Sequence, residues 1–340
     1  MVIRHQRELV AQFRDFVRED PDLRWSLANL QPSEALHLAF DGRQLEFQPL
    51  YELKPSLPWL EGLKPTASSP HPLVVTPELT PRLVAACKER GVGAIDLNGR
   101  TWLRAPGLLV DRRPLPGRSF RYELEPRNIF VGKSVRIIRC LLTDRARVWT
   151  QAEIVSRAGA SSGLVSRIVR HLIRQGFVEK ISAREFRLRD WQGLLDEWAA
   201  SDRLAQRTNI ARYAGFPGSP QELAQRLRRW AENERVPVAF TQFLAAWIRH
   251  PYTEPVVCSA YVSRLPGAAA LGELGLRPVE EGGKLWLLTA DDEGLLKEVR
   301  AENGLCLVTD AQIYVDLQRT GLRGPEAAAA LREWDGFCLP

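Results

Sequence analysis

The sequence predicts a multidomain α/β (α+β) chain: an N-terminal mixed α/β domain, a central winged helix-turn-helix and a C-terminal mixed α/β domain. Three observations carry that expectation. The length, 340 residues, exceeds one ordinary hydrophobic core, so two or three domains are expected. Strand-like and helix-like hydrophobic periods alternate towards both ends of the chain. Between them, Arg127 to Asp190 holds 14 Lys/Arg against 5 Asp/Glu, a net of +9, whereas the whole chain nets +6. The rest of the protein is therefore slightly acidic, and the basic module stands out as a footprint for a polyanion.

The first domain is expected over residues 1–112. An amphipathic N-terminal helix precedes strand-like runs at 36–40 and 45–53, and a Pro-rich connection runs from Lys54 to Pro72. LVVT at 73–76, a helical stretch at 80–90 and GAIDL at 93–97 form a strand–helix–strand pattern, which implies a parallel pair. Asp96, Asn98 and Gly99 read as the turn that ends this strand. The Pro-, Gly- and Arg-rich stretch 105–120 reads as a connection, with the linker proper at 113–126.

The winged helix is expected over 127–204. Apolar residues at 135, 137, 138, 141 and 142 mark one face of a first helix. Thr150 has N-cap character, and Glu153 stands at capping-box spacing; Gly159 ends that second helix. Ser161 and Ser162 open a third, with Val165, Ile168, Val169 and Leu172 on its inner side and Gly176 at its close. The alternation in FVEKISAREFRLR predicts a two-stranded wing, and a further helix leads out from Trp191. The last domain, 205–340, is expected to hold strands near 208–214, 255–262, 285–289 and 305–309. Helices are expected near 219–233, 240–248, 268–274, 292–301, 310–318 and 324–334.

A third helix of this kind lies in the DNA major groove with its N-terminal residues towards base edges. Ser161, Ser162, Ser166, Arg167, Arg170 and Arg174 fall outside its apolar stripe. The small hydroxyls permit close approach, and Arg167 or Arg170 has the reach for bidentate contact with guanine. Arg174 and the wing residues Arg184, Arg187 and Arg189 suit phosphates, as do Arg145 and Arg147 before the second helix. His171 is read as a flank of this helix, with no second His at metal-binding spacing. Trp149, Trp191 and Trp198 are read as packing residues. The rival reading is a protein–protein adaptor with a solvated Arg-rich face.

Composition excludes several classes. No apolar run is long enough to span a membrane, and the N-terminus lacks a signal-peptide pattern, so a cytoplasmic protein is expected. Cys87, Cys140, Cys258, Cys306 and Cys338 form no CxxC pair and no Cys/His cluster. Neither a disulfide framework nor a metal site is expected, and no cofactor is indicated.

Gln312, Tyr314, Asp316, Leu317, Gly321, Arg323, Gly324, Glu326, Ala327 and Ala328, closing on Leu331, form an ordered run. This run resembles the C-terminal signature of AbiEi-family type IV antitoxins, and Phe240 to Trp247 resembles another segment of that domain. With the winged helix in front, the resemblance covers about residues 130–335. It implies an autoregulating repressor on operator repeats in double-stranded DNA. It also implies a genetic partner, a nucleotidyltransferase-like toxin. Family members usually begin with the winged helix, whereas about 120 residues precede it here. A homodimer on paired half-sites is expected. The residues themselves suggest an ion pair between Asp316 and Arg323 across Gly321, with Glu326 in the first turn of the last helix.

Asp41, then Glu52 and Lys54, then the strand–helix–strand unit ending at Asp96 resemble the PD-(D/E)xK nuclease core. That resemblance implies a metal-binding acidic pair and a lysine that orients water. Residues 52 and 54, two apart on a strand, would share a face. The functions left open are an operator-binding regulator without enzyme activity, a DNA-processing nuclease delivered by the winged helix, and a protein adaptor.

Overall fold

The computed structural model describes residues 1–20, 22–27, 35–63, 70–122, 128–290 and 292–339. Residues 64–69 of the Pro-rich connection and 123–126 of the expected linker lie outside that set. The chain is mixed α/β, and it divides into two compact units: Met1–Arg127 with Arg170–Val178, and Asn128–Val169 with Glu179–Pro340.

In the first unit, β1 (Val2–Ile3) leads into α1 (Gln6–Glu19), followed by β2 (Arg24–Leu27), β3 (Leu36–Phe40) and β4 (Arg43–Tyr51). After α2 (Leu57–Glu61) come β5 (His71–Thr76), α3 (Pro81–Arg90), β6 (Gly93–Asp96), β7 (Thr101–Ala105), β8 (Leu108–Arg112) and β9 (Arg121–Tyr122). Strands β2 to β8 form one sheet in sequence order. Within that sheet, among the described residues, only β4–β5 and β5–β6 pair in parallel, as the strand–helix–strand pattern requires, and β1 pairs in parallel with β9 outside it. Strand alternation sorts the two faces. Leu73, Val75 and Ile95 join Leu9, Phe13 and Phe16 of α1, whereas Val74 and Ala94 join Leu83, Val84 and Cys87 of α3.

Three sequence expectations need correction here. Part of the stretch read as a connection is strand: β8 pairs antiparallel with β7 through the Pro106-Gly107 turn, where Gly107 takes φ +81°. The strand at 45–53 stops at Tyr51, so Glu52 and Lys54 lie beyond it. Strand β2 was invisible to the alternation reading. The turn at Asp96 is as expected: its Oδ1 accepts from the N–H groups of Asn98 and Arg100, each at 2.9 Å. Burial nonetheless pushes the Asp96 carboxyl up to about 7.

The second unit begins with α4 (Lys133–Thr143), β10 (Val148–Thr150) and α5 (Gln151–Ala158). Helix α6 (Ser162–Arg174) spans the division between the units, as does β11 (Val178–Lys180); β12 (Glu185–Leu188) and α7 (Trp191–Ser201) follow. This is the winged-helix order, with a three-stranded sheet β10-β12-β11. The first of those strands was missed because three residues are too short for periodicity to register.

After α8 (Leu204–Arg207) come β13 (Thr208–Ala214), α9 (Pro220–Asn233), β14 (Val238–Phe240), α10 (Gln242–Arg249), β15 (Cys258–Val262) and α11 (Ala268–Leu274). The chain ends with β16 (Arg277–Val279), β17 (Leu285–Ala290), β18 (Val299–Glu302), β19 (Leu305–Val308), α12 (Asp310–Leu317) and α13 (Gly324–Glu333). A mixed seven-stranded sheet has the order β16-β13-β17-β15-β14-β19-β18. The helix expected at 292–301 is instead a 3-10 turn, Glu293–Leu296, followed by β18. Asn303 and Gly304, at φ 50° and 74°, turn β18 back onto β19 as a tight hairpin.

The expected Asp316–Arg323 pair is also overturned. Asp316 is fully buried and accepts from Arg207 Nη2 and Thr241 Oγ1, both at 2.5 Å, and from Gln312 Nε2 at 2.8 Å. Helix α12 is buried along its whole length, so Asp316 finds core partners in place of a surface arginine. Glycine at 324 has a steric cause: a Cβ there would collide with the Leu317 carbonyl oxygen. Glu326 does sit in the first turn of α13, accepting from the Tyr252 hydroxyl at 2.7 Å.

Candidate nucleic-acid interface

The interface is built on two capped helices. Thr150 Oγ1 accepts from the Glu153 N–H at 3.3 Å, and Glu153 Oε2 accepts from the Thr150 N–H at 2.8 Å, so the predicted capping box is present. Those bonds, first the Thr150 N–H and then Arg147, hold the Glu153 carboxyl down at about 2. Gly159, at φ +57°, ends α5 and lets the chain turn into α6. Ser161 Oγ then accepts from the Leu164 N–H at 3.3 Å.

Helix α6 divides cleanly. Val165, Ile168, Val169 and Leu172 are buried. Ser161, Ser162, Arg167 and Arg170 are exposed, and Ser166, His171 and Arg174 are half-buried. Ser161, Ser162, Arg167 and Arg170 thus share the water-facing side of the helix, with Ser166 and Arg174 at its margin. The last turn differs, because it belongs with the first unit. Gln175 O accepts from Arg82 Nε at 2.7 Å, and the Arg82 guanidinium lies 4.0 Å from the Phe177 ring centroid.

On the wing, Arg184 and Arg187 are exposed. Arg187 Nε is 2.6 Å from Glu179 Oε1 on the neighbouring strand, whereas Arg184 is bonded only through its backbone N–H to Ser182 Oγ among the described contacts. The two arginines before α5 are already engaged. Arg145 stacks on Trp191 with 4.6 Å to the centroid, and Arg147 pairs with Glu153 at 2.7 Å while lying over Trp149. Trp149 and Trp198 are fully buried packing residues.

Sequence reasoning missed two further arginines of the module. Arg139 is 2% exposed and meets Asp292 at 2.7 Å and Glu298 at 3.2 Å; Arg136 meets Asp292 at 2.6 Å. Burial raises the Asp292 carboxyl, but the two guanidinium groups outweigh it and hold the group below its ordinary range. Burial leaves the Glu298 carboxyl above its ordinary value despite the Arg139 guanidinium beside it. Position 139 lies close to the apolar stripe of α4, a helix-phase signal that this arginine turns inward.

Of the nuclease-like residues, Asp41 does not meet Glu52 and Lys54. Asp41 sits in the two-residue turn between β3 and β4, at φ 45°. The nine residues of β4 separate it from Glu52, about 30 Å at 3.3 Å per residue. Glu52 Oε1 accepts the Lys54 backbone N–H at 3.0 Å, and the Lys54 ammonium lies over the Tyr122 ring. Among the described residues no group of three or more His, Cys, Asp or Glu is placed to hold a metal ion. The five cysteines are free thiols, and no described helix is long and apolar enough to cross a membrane.

No curated protein and no solved structure shows significant similarity to the chain. Residues 131–182, from the approach to α4 through the start of the wing, match the IclR helix-turn-helix domain. That match supports a DNA-binding transcriptional regulator.

Proposed function

We propose that the protein is an operator-binding repressor of the type IV antitoxin kind, acting in the cytoplasm without enzyme activity. One observation carries the DNA-binding part: Ser161, Ser162, Arg167 and Arg170 are exposed along the outer face of α6 while the opposite side of that helix is buried. In this reading Arg167 and Arg170 read bases, Arg174 and Arg184 hold phosphate, and residues 127–204 act as the DNA-reading domain. Residues 205–340 carry the antitoxin-like signature, whose Gln312, Tyr314 and Asp316 form the buried frame of α12. A homodimer matches two half-sites, and a neighbouring nucleotidyltransferase-like toxin gene is the expected genetic partner. The separation of Asp41 from Glu52 favours a binding role for the N-terminal domain over cleavage.

The test is fluorescence anisotropy with the promoter fragment upstream of the protein's own gene, against a shuffled fragment of equal length. Tight, sequence-selective binding supports the repressor. Equal binding to both fragments contradicts it. For the antitoxin part, co-expression with the adjacent gene should relieve growth arrest.

A further inference from the structure

We propose that a cavity within the second unit binds a small organic anion, a carboxylate or phosphate monoester, and that its occupancy adjusts the winged helix. The cavity has a volume of about 240 Å³. Its walls come from the end of α4, Arg157 of α5, the start of β18, the N-terminus of α12 and the C-terminal tail.

Charge decides the ligand class. Three cations, Arg157, Lys297 and Arg300, line the cavity together with two carboxylates, Glu298 and Asp310. Both carboxylates are already engaged. Glu298 is 3.2 Å from Arg139 Nε, and Asp310 accepts from Arg249 Nε at 2.7 Å and from the Cys338 N–H at 3.0 Å. The cations are far less committed. Arg157 lies over Trp149 at 5.2 Å, Arg300 donates to the Leu339 carbonyl oxygen, and Lys297 is exposed. Glu302, 4.0 Å from Arg300, is itself held by Arg249 at 2.5 Å. The site is therefore net positive towards a ligand.

Shape adds the second property. Leu142, Val299 and Leu339 supply apolar wall, so the site favours an anion with an apolar body. The volume lies below the range of drug-sized pockets, roughly 300 Å³ and above, which limits the ligand to a single ring or a short chain.

Regulation follows from where the cations sit. Arg157 belongs to α5, which sets the start of α6, whereas Arg300 belongs to the edge strand β18 and Lys297 to the turn just before it. An anion bridging them fixes α5 against the sheet. Glu298, on the same wall, is one of the two carboxylates that hold Arg139 of α4. This coupling rests on the DNA-binding reading; the binding site does not.

The test is calorimetric titration of the full chain, without DNA, using phenyl phosphate and benzoate, with benzyl alcohol as neutral control. Saturable one-site binding of an anion, and none of the alcohol, is expected. The double variant Lys297→Gln/Arg300→Gln should weaken binding by about tenfold or more. Val299→Trp, at an exposed wall position, should weaken it sterically. Failure of both anions to bind, equal binding of the alcohol, or unchanged affinity in both variants overturns the site. In a parallel anisotropy measurement, saturating phenyl phosphate should shift DNA affinity; an unchanged value overturns the coupling and leaves the titration result standing.

Discussion

Arginines on α4 and arginines on α6 belong to the same winged helix and have opposite fates. Arg136 and Arg139 turn inward and neutralise Asp292 and Glu298, whereas Arg167 and Arg170 face water. Charge in a sequence is thus of two kinds, internal and available, and only the second can reach a polyanion. Arg147 and Arg187, paired with Glu153 and Glu179, belong in part to the first kind. Because Asp292 and Glu298 lie outside the segment from Arg127 to Asp190, its net of +9 overstates the charge open to DNA, whereas Glu153 and Glu179 are already counted in it.

The sharpest way to break this comparison is to remove an inward arginine. Arg139→Ala leaves two half-buried carboxylates, Asp292 and Glu298, short of a buried partner and should cost about 3 kcal/mol of stability. Urea unfolding of the variant measures it; an unchanged midpoint would mean that Arg139 is no more internal than Arg167. The outward arginines should behave in the reverse manner. Arg167→Ala should lose about 1–3 kcal/mol of affinity for a cognate site with little change in stability. Arg184→Ala should weaken binding to all sequences alike and lower the salt slope by about 1, while Arg187→Ala, already paired, should do less.

The helix that presents Arg167 depends on the turn before it, so smaller effects are expected there. Thr150→Ala removes the α5 cap and should cost about 1 kcal/mol, read from thermal melting. The same box predicts a pH dependence. Glu153 titrates at about 2 in the folded protein, below its ordinary 4.5. Its contribution is therefore complete above the ordinary value and is lost as pH falls from there towards about 2. A carbon-detected NMR titration of the Glu153 carboxyl should give that low midpoint, and Thr150→Ala should raise it.

What the sequence made legible was local. The apolar stripe of α4, the Thr150–Glu153 box and the glycines after α5 and α6 each depend on neighbours within one or two turns, and each appears in the fold. Partnerships between distant positions were not legible. Asp316 was matched with Arg323 because the two are close in sequence, but its partner Arg207 is 109 positions away. Arg139 and Asp292 are 153 apart. One local signal does bear on the helix expected at 292–301: Asn303-Gly304 is a tight-hairpin pair, and it demands a strand, β18, before it. At the candidate interface, helix phase placed Ser161, Ser162, Arg167 and Arg170 correctly on the outer side, since phase is again a local property.

The exposed face of α6 is expected to read DNA through Arg167. Anisotropy titration of wild type and Arg167→Ala against the protein's own promoter and a shuffled fragment tests it most directly. The wild type should bind selectively, and the variant should lose affinity for the promoter while keeping its weaker, salt-sensitive affinity for the shuffled fragment. Equal losses on both fragments, or no selectivity in the wild type, would contradict it.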